Sequence, residues 1–322
     1  VTIPFFALVL CGHLAAWRGV LPEVAIPGLN AYVLFFALPC LLFRFGSSMP
    51  FAQLIDPVLI GIYAASALLI VFFTLAATLR REGSARGVGL KDAAFGALVA
   101  AFPNTGFMGV PLLVALFGER AAGPVIGTVL VDLILTSTLC IAIAQPLRAG
   151  ADAAHAGPAS SAWRSLRGAM TNPLPWSIAA GAAVAASGLT LPGPLAQIVK
   201  MLGDSATPVA LFTIGAVLWR AGQHAHTRTP LPNYLPVALI KLIVHPLLVW
   251  SLGMLAHRGG APVSPFGLTV LVLAAALPSA SNVSLLAERY GADNGRVARI
   301  IMASTVLAFA SFSTLAWMLR EA

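Results

Sequence analysis

The chain has 322 residues, of which 59% are hydrophobic and only 9% charged, with a net charge of +8 and a mean hydropathy of +0.90. An ordinary soluble domain carries roughly 25% charged residues, so the composition excludes a water-soluble globule and points to an all-α, polytopic membrane protein. The basic residues form no single patch, which argues against nucleic acid as a partner.

Apolar stretches approaching the length of about 20 residues that crosses a bilayer fall at 3–20, 28–45, 57–79, 91–117, 123–146, 172–190, 203–220, 232–256, 264–288 and 296–319, about ten spans in all. More spans follow the first, so it is not read as a cleaved signal peptide. Cys11, Cys40 and Cys140 all lie in apolar segments, where a cysteine is a small packing residue, and neither a disulfide framework nor a metal site is expected. Most connections are short. The longest, 147–171, is rich in Ala, Gly, Ser and Pro and reads as a flexible linker, with Trp163–Met170 a candidate interfacial helix. It divides the chain into 1–146 and 172–322, five spans each.

Lysine and arginine set the orientation. Arg18, Arg80, Arg81, Arg86, Lys91, Arg148, Arg164, Arg167, Arg220, Arg228, Arg289, Arg296 and Arg299 all fall in alternate connections. The opposite side holds only Arg44, Arg120, Lys200, Arg258 and Arg320. The larger set marks the cytoplasmic face, which puts the linker inside and both termini outside.

The fourth and ninth spans echo one another. "AAFPNTGFMGVPLLVALFGERAAG" and "AALPSASNVSLLAERYGADNG" share a proline, small polar residues, a Val-x-Leu-Leu or Val-Ser-Leu-Leu run, and closing charges. An odd number of spans per half makes the halves inverted in the membrane, and matched Pro/Gly breaks are the sequence pointer to a secondary transporter. Pro103 and Pro278 interrupt their helices, and in hydrocarbon such a break survives only inside protein or beside a wet cavity. Each break creates a helix start carrying about half a positive charge. Asn104, Thr105 and Gly106 form one such end, and Ser279, Ala280 and Ser281 the other. With Asn282, these residues offer hydrogen-bond donors to an anion such as a carboxylate.

These residues carry a resemblance. "FPNTGFMGVPLL" resembles the fourth-span motif of the auxin efflux carrier family, and "ALPSASNVSLLAERYGAD" is similar to the family's ninth-span Ala-Leu-Pro and closing Ala-x-x-Tyr. Weaker matches are "LPCLLF", "NPLPWSIAAG", "ALFTIGAVL" and "KLIVHPLL". The resemblance implies a five-plus-five inverted-repeat carrier, similar to bile-acid symporter and sodium/proton antiporter folds. Spans one, two, six and seven would form a scaffold, and spans three to five and eight to ten a moving transport domain. It makes Asn104 a substrate contact and places Pro103 and Pro278 at the crossover. Plant members carry auxin and bacterial members small carboxylates such as malonate or malate. The plant carriers have a long hydrophilic central loop, and the short linker here suits a prokaryotic relative. Carriers of this size often dimerise through the scaffold, so a homodimer is the expected assembly.

Ionisable residues inside spans are functional by default. Asp132 is a candidate for relaying a proton or binding a cation. Lys241 is a candidate for balancing a substrate carboxylate or standing in for a cation, unless it snorkels to the membrane face. His245 precedes Pro246, where a kink cap competes with a proton role. The coupling ion is expected to be H+ or Na+, with no other cofactor. His224 and His226 read as a solvated loop, and Glu288, Arg289 and Asp293 as weak surface pairs. An enzyme would need Ser279 or Ser281 activated by His245, and neither a Gly-x-Ser-x-Gly nor a His-Glu-x-x-His motif is present. A carrier of a small organic anion is the expected function. A sodium-coupled symporter, an anion channel or a sensor of the same fold are the alternatives.

Overall fold

A computed structural model describes residues 3–49, 54–79, 88–144, 170–224 and 229–320, together with 163 and 167. In chain order the helices are α1 (Ile3–Trp17), α2 (Glu23–Ser48), α3 (Pro57–Thr78), α4 (Leu90–Ala101), α5 (Thr105–Phe117) and α6 (Glu119–Ala144). They continue as α7 (Pro173–Ser187), α8 (Gly193–His224), α9 (Leu231–Arg258), α10 (Pro265–Ala275), α11 (Asn282–Arg289) and α12 (Asn294–Arg320). Six of them, α2, α3, α6, α8, α9 and α12, are long and apolar enough to cross a membrane, and α1, α5 and α10 are shorter apolar helices. The chain is a multi-pass membrane protein. The linker falls almost wholly outside the described residues.

Several spans open the same way. The Asp56 carboxylate accepts the Val58 and Leu59 N–H groups at 2.9 and 3.1 Å. Asn172 accepts from the Leu174 N–H at 3.0 Å, and Ser264 from the Gly267 N–H at 3.2 Å. A proline follows each cap, where its missing N–H costs nothing.

Two expectations need correction. The seventh span begins at Gly193, ten residues before the expected start at 203. Lys200 and Asp204 lower the local hydropathy, but the structure pairs them with each other at 2.8 Å and pairs Asp204 with Arg44 of α2 at 2.6 Å. Asp293 is a cap and not a surface ion pair. Its carboxylate accepts the Arg296 N–H at 2.9 Å, and its own N–H donates to the Asp92 carboxylate at 2.8 Å. Cys140 is buried, Cys40 partly buried and Cys11 exposed on the apolar helix α1; all three are free thiols.

Helix pairing is reciprocal between the two halves: α1 packs along α8, and α2 along α7. Likewise α3 packs on α4, α9 on α10, and α3 on α9. Two related five-span halves facing each other would give this pattern. Side-chain hydrogen bonds reinforce two groups of helices. Tyr32–Ser205 and Arg44–Asp204 tie α2 to α8. Tyr63–Asp132, Lys241–Ala275 and Ser279–Ser304 tie α3, α6, α9, the end of α10 and α12.

Arg296, at the start of α12, fastens the second group. It is 3% exposed, and its Nε and Nη1 donate to the Asn233 and Asp92 carbonyls at 2.8 and 2.7 Å. Replacing it strands two buried carbonyls, at roughly 1–3 kcal/mol each. Arg296→Met is therefore expected to lower the thermal unfolding midpoint in detergent by several degrees. Arg258→Met, at an exposed position, should leave the midpoint unchanged.

Candidate functional site at the helix crossing

The fourth and ninth spans are each broken: α4 ends at Ala101 and α5 starts at Thr105, while α10 ends at Ala275 and α11 starts at Asn282. The breaks cross. The Asn104 N–H donates to the Pro278 carbonyl at 2.8 Å, and the Ala280 N–H to the Phe102 carbonyl at 3.0 Å. Together they make an antiparallel bridge between Pro103 and Ser279. Each extended segment thus supplies the partners that the other lost on leaving its helix. The prolines suit these positions because they need no acceptor of their own. The Ser279 N–H donates to the Ser304 hydroxyl of α12 at 3.2 Å.

The expected site residues divide into two sets. Asn104, Thr105 and Ser279 are buried, at 3%, 0% and 1% exposure. The Thr105 and Ser279 hydroxyl oxygens have no hydrogen-bond partner there. Gly106, Ser281 and Asn282 are half-buried. Crossing and turn bonds take the Asn104 and Thr105 N–H groups. The free donors at the two helix starts therefore come later, at Gly106 and Phe107 on one side and at Ser281 and Asn282 on the other.

Ser281, Asn282 and Phe107 line a cavity of about 620 Å³. Its opposite wall comes from Asn30, Leu34 and Phe35 of α2, Asn172 before α7, and Val217 and Arg220 of α8. Glu23, Glu288 and Asn294 are also part of the lining. The cavity thus lies between the two groups of helices and reaches the helix starts. Sequence reasoning missed Asn30, Asn172 and Arg220. Asn30 interrupts the apolar run "GLNAYVLFF" and could have been noticed. Arg220 read only as a loop charge.

A second polar cluster is sealed beside the crossing. Asp132 is fully buried and accepts from the Tyr63 hydroxyl at 3.0 Å and the Thr136 hydroxyl at 3.3 Å. Lys241, also fully buried, donates to the Ala275 carbonyl at 2.5 Å and lies 3.3 Å from His245 Nδ1. Lys241 does not snorkel. Asp132 and Lys241 each open or occupy a π-turn, Asp132–Thr136 and Ile240–Val244, and a further π-turn, Thr105–Gly109, follows Asn104. Such single-turn bulges recur at functional sites. His245 Nε2 and the Ser279 hydroxyl each lack a partner, so the two form no nucleophile–base pair. His226 lies outside the described residues, as does the side chain of His224.

A family model described as "Membrane transport protein" matches residues 2–318. A protein of Rhizobium meliloti (strain 1021) named "Putative malonate transporter" is 29% identical over 322 residues, spanning 99% of this chain and 95% of that one. The "Uncharacterized transporter YfdV" of Escherichia coli (strain K12) is 24% identical over 313 residues, 95% of this chain and 92% of its own. An "Uncharacterized transporter" of Methanothermobacter thermautotrophicus is 28% identical over 313 residues, 94% of this chain and 92% of its own.

Proposed function

This chain belongs to the membrane transport protein family, which includes the auxin efflux carriers, and from that premise we propose that it is a secondary active carrier of a small organic anion. One observation supports the reading above the rest. Two broken helices cross, and residues from both half-helix starts, Phe107 on one side and Ser281 and Asn282 on the other, line one cavity together with residues of α2 and α8. A helix start favours negative charge, and a carboxylate placed between two of them meets donors from both halves. Ser281 and Asn282 are the contacts reached from the cavity. Asn104, Thr105, Gly106 and Ser279 become contacts as the crossing opens. Pro103 and Pro278 hold the crossing.

In this reading α1, α2, α7 and α8 are the static scaffold, and the remaining helices move as the transport domain. The cavity is lined by the ends of α2, α8, α11 and α12 that carry Glu23, Arg220, Glu288 and Asn294. The basic-residue bias assigns those ends to the cytoplasm, so this arrangement is inward-facing. The bacterial inner membrane, with both termini periplasmic, is the proposed location, and a homodimer through the scaffold the proposed assembly. The name of the Rhizobium meliloti relative makes malonate the first anion to test, ahead of auxin.

Counterflow in proteoliposomes tests the proposal. Uptake of radiolabelled malonate should saturate and accelerate when unlabelled malonate is loaded inside. Flux without that acceleration would favour an anion channel, and no flux with any small carboxylate would favour a sensor. Varying sodium and pH in the same assay identifies the driving ion.

A further inference from the structure

The cavity that Phe107, Ser281 and Asn282 line has an opposite wall rich in hydrogen-bond donors. Asn172 belongs to that wall, and its Oδ1 already accepts the Leu174 N–H at 3.0 Å, which leaves the amide nitrogen to donate. Arg220 of α8 belongs to it as well, and a guanidinium has N–H donors and no acceptor. Asn30 of α2 adds an amide. The two walls stand close together. The helix α8 packs on the Thr105–Gly109 turn that opens α5, and a Cβ on Gly106 would meet the Leu174 side chain at 3.9 Å.

Positive charge is present on both walls but in different forms. On the side of the crossing it is the partial charge of the helix starts, about half a unit each. On the opposite side it is a whole cation, the half-buried Arg220. Glu23 and Glu288 also line the cavity but are exposed, and water and salt screen exposed charges more than half-buried ones. Arg220 is one of the arginines that orient the chain, yet a charge serving topology alone has no need to face a cavity. A single carboxylate at the helix starts would leave the guanidinium unused. A short acid with a carboxylate at each end would engage both walls, and a guanidinium suits a carboxylate through parallel N–H donors.

We propose that Arg220 is a specificity-determining residue, holding the second carboxylate of a short dicarboxylate whose first carboxylate lies at the starts of α5 and α11. The proposal rests on the carrier reading and deepens it, because it selects dicarboxylates over monocarboxylates of the same length and assigns the choice to one scaffold side chain.

Ligand-induced shifts in the unfolding midpoint of the purified full chain in detergent test this without any transport step. Malonate, at a pH where it is doubly ionised, is compared with malonamate, in which a neutral amide of similar shape replaces one carboxylate. The wild type should need about 10-fold less malonate than malonamate for the same shift, the effect of one hydrogen bond between charged groups. In Arg220→Gln the malonate requirement should rise to that of malonamate, with the malonamate requirement unchanged and the unliganded midpoint near that of the wild type. Arg289→Gln removes an exposed positive charge from α11 and should keep the wild-type preference. Equal responses of the wild type to the two ligands, or no response to either, would overturn the proposal. A preference that survives Arg220→Gln, or that Arg289→Gln abolishes as well, would also overturn it. So would a preference lost only together with a large fall in the unliganded midpoint, which would make Arg220 a structural residue. Failure of the carrier reading looks different: malonate would bind with the expected preference and show no counterflow. Counterflow that accepts malonate and malonamate alike would keep the carrier and remove the role of Arg220.

Discussion

Proteoliposomes carrying Asn104→Ala are expected to lose exchange of radiolabelled malonate down to background, with expression and unfolding midpoint near those of the wild type. Folding is expected to survive because the crossing is made by main-chain atoms. The Asn104 N–H reaches the Pro278 carbonyl, and the Asn104 carbonyl accepts from Met108 and Gly109 at 3.0 and 2.9 Å. Alanine retains all of these. What it removes is the one amide side chain at the start of α5. Hydrogen bonds to a charged ligand are worth about 1.5–3 kcal/mol, which alone is about a 10- to 100-fold loss of affinity. Asn104 is 3% exposed and does not line the cavity that Ser281 and Asn282 line, so its effect also reports whether the crossing opens to the cavity during the cycle. Ser187→Ala, at an exposed position on α7, is the control and should exchange normally. Normal exchange in Asn104→Ala would remove Asn104 from the site.

The crossing was legible because proline leaves a mark that no packing can hide. Pro103 and Pro278 break spans that are otherwise apolar, and their matching places in the two halves predicted that the breaks belong together. The span limits were legible for the same kind of reason, since hydrocarbon permits little besides apolar helix. Charge was harder to read. Lys200 and Asp204 lowered hydropathy and hid the first ten residues of α8, because a sequence does not show that Arg44 neutralises Asp204 from another helix. Arg296 counted only as a cytoplasmic charge, yet it is buried between Asp92 and Asn233, about sixty or more positions away in sequence. Asn30 and Arg220 became neighbours of Ser281 only when two spans far apart in sequence enclosed one cavity. Each of these depends on tertiary pairing, for which one sequence holds no local signal.

The glycines of the first helix group carry the other large expectation. Gly12 of α1 lies so close to α8 that a Cβ would run into the Phe212 carbonyl, and Gly215 of α8 presses in the same way on the Val9 carbonyl of α1. The α2–α7 pair repeats this, Gly46 against the Ile178 carbonyl and Gly181 against that of Phe43. In lipid, where apolar side chains gain nothing by leaving hydrocarbon, close backbone approach of this kind is what holds helices together. A methyl group here meets main chain and not the end of a flexible side chain, so the helices must separate along their length. Overpacking costs about 1–3 kcal/mol even in yielding cores, and these sites cannot yield locally. Gly12→Val and Gly215→Val are each expected to abolish recovery of folded protein from detergent, and Gly12→Ala to lower the unfolding midpoint markedly. Gly61→Ala, with open space around it on α3, should leave the midpoint unchanged or slightly higher. Equal midpoints for Gly12→Ala and Gly61→Ala would show that α1 and α8 separate without cost. A frame able to separate so easily could not act as the fixed body against which the crossing moves, so this comparison tests the proposed scaffold as well as its packing.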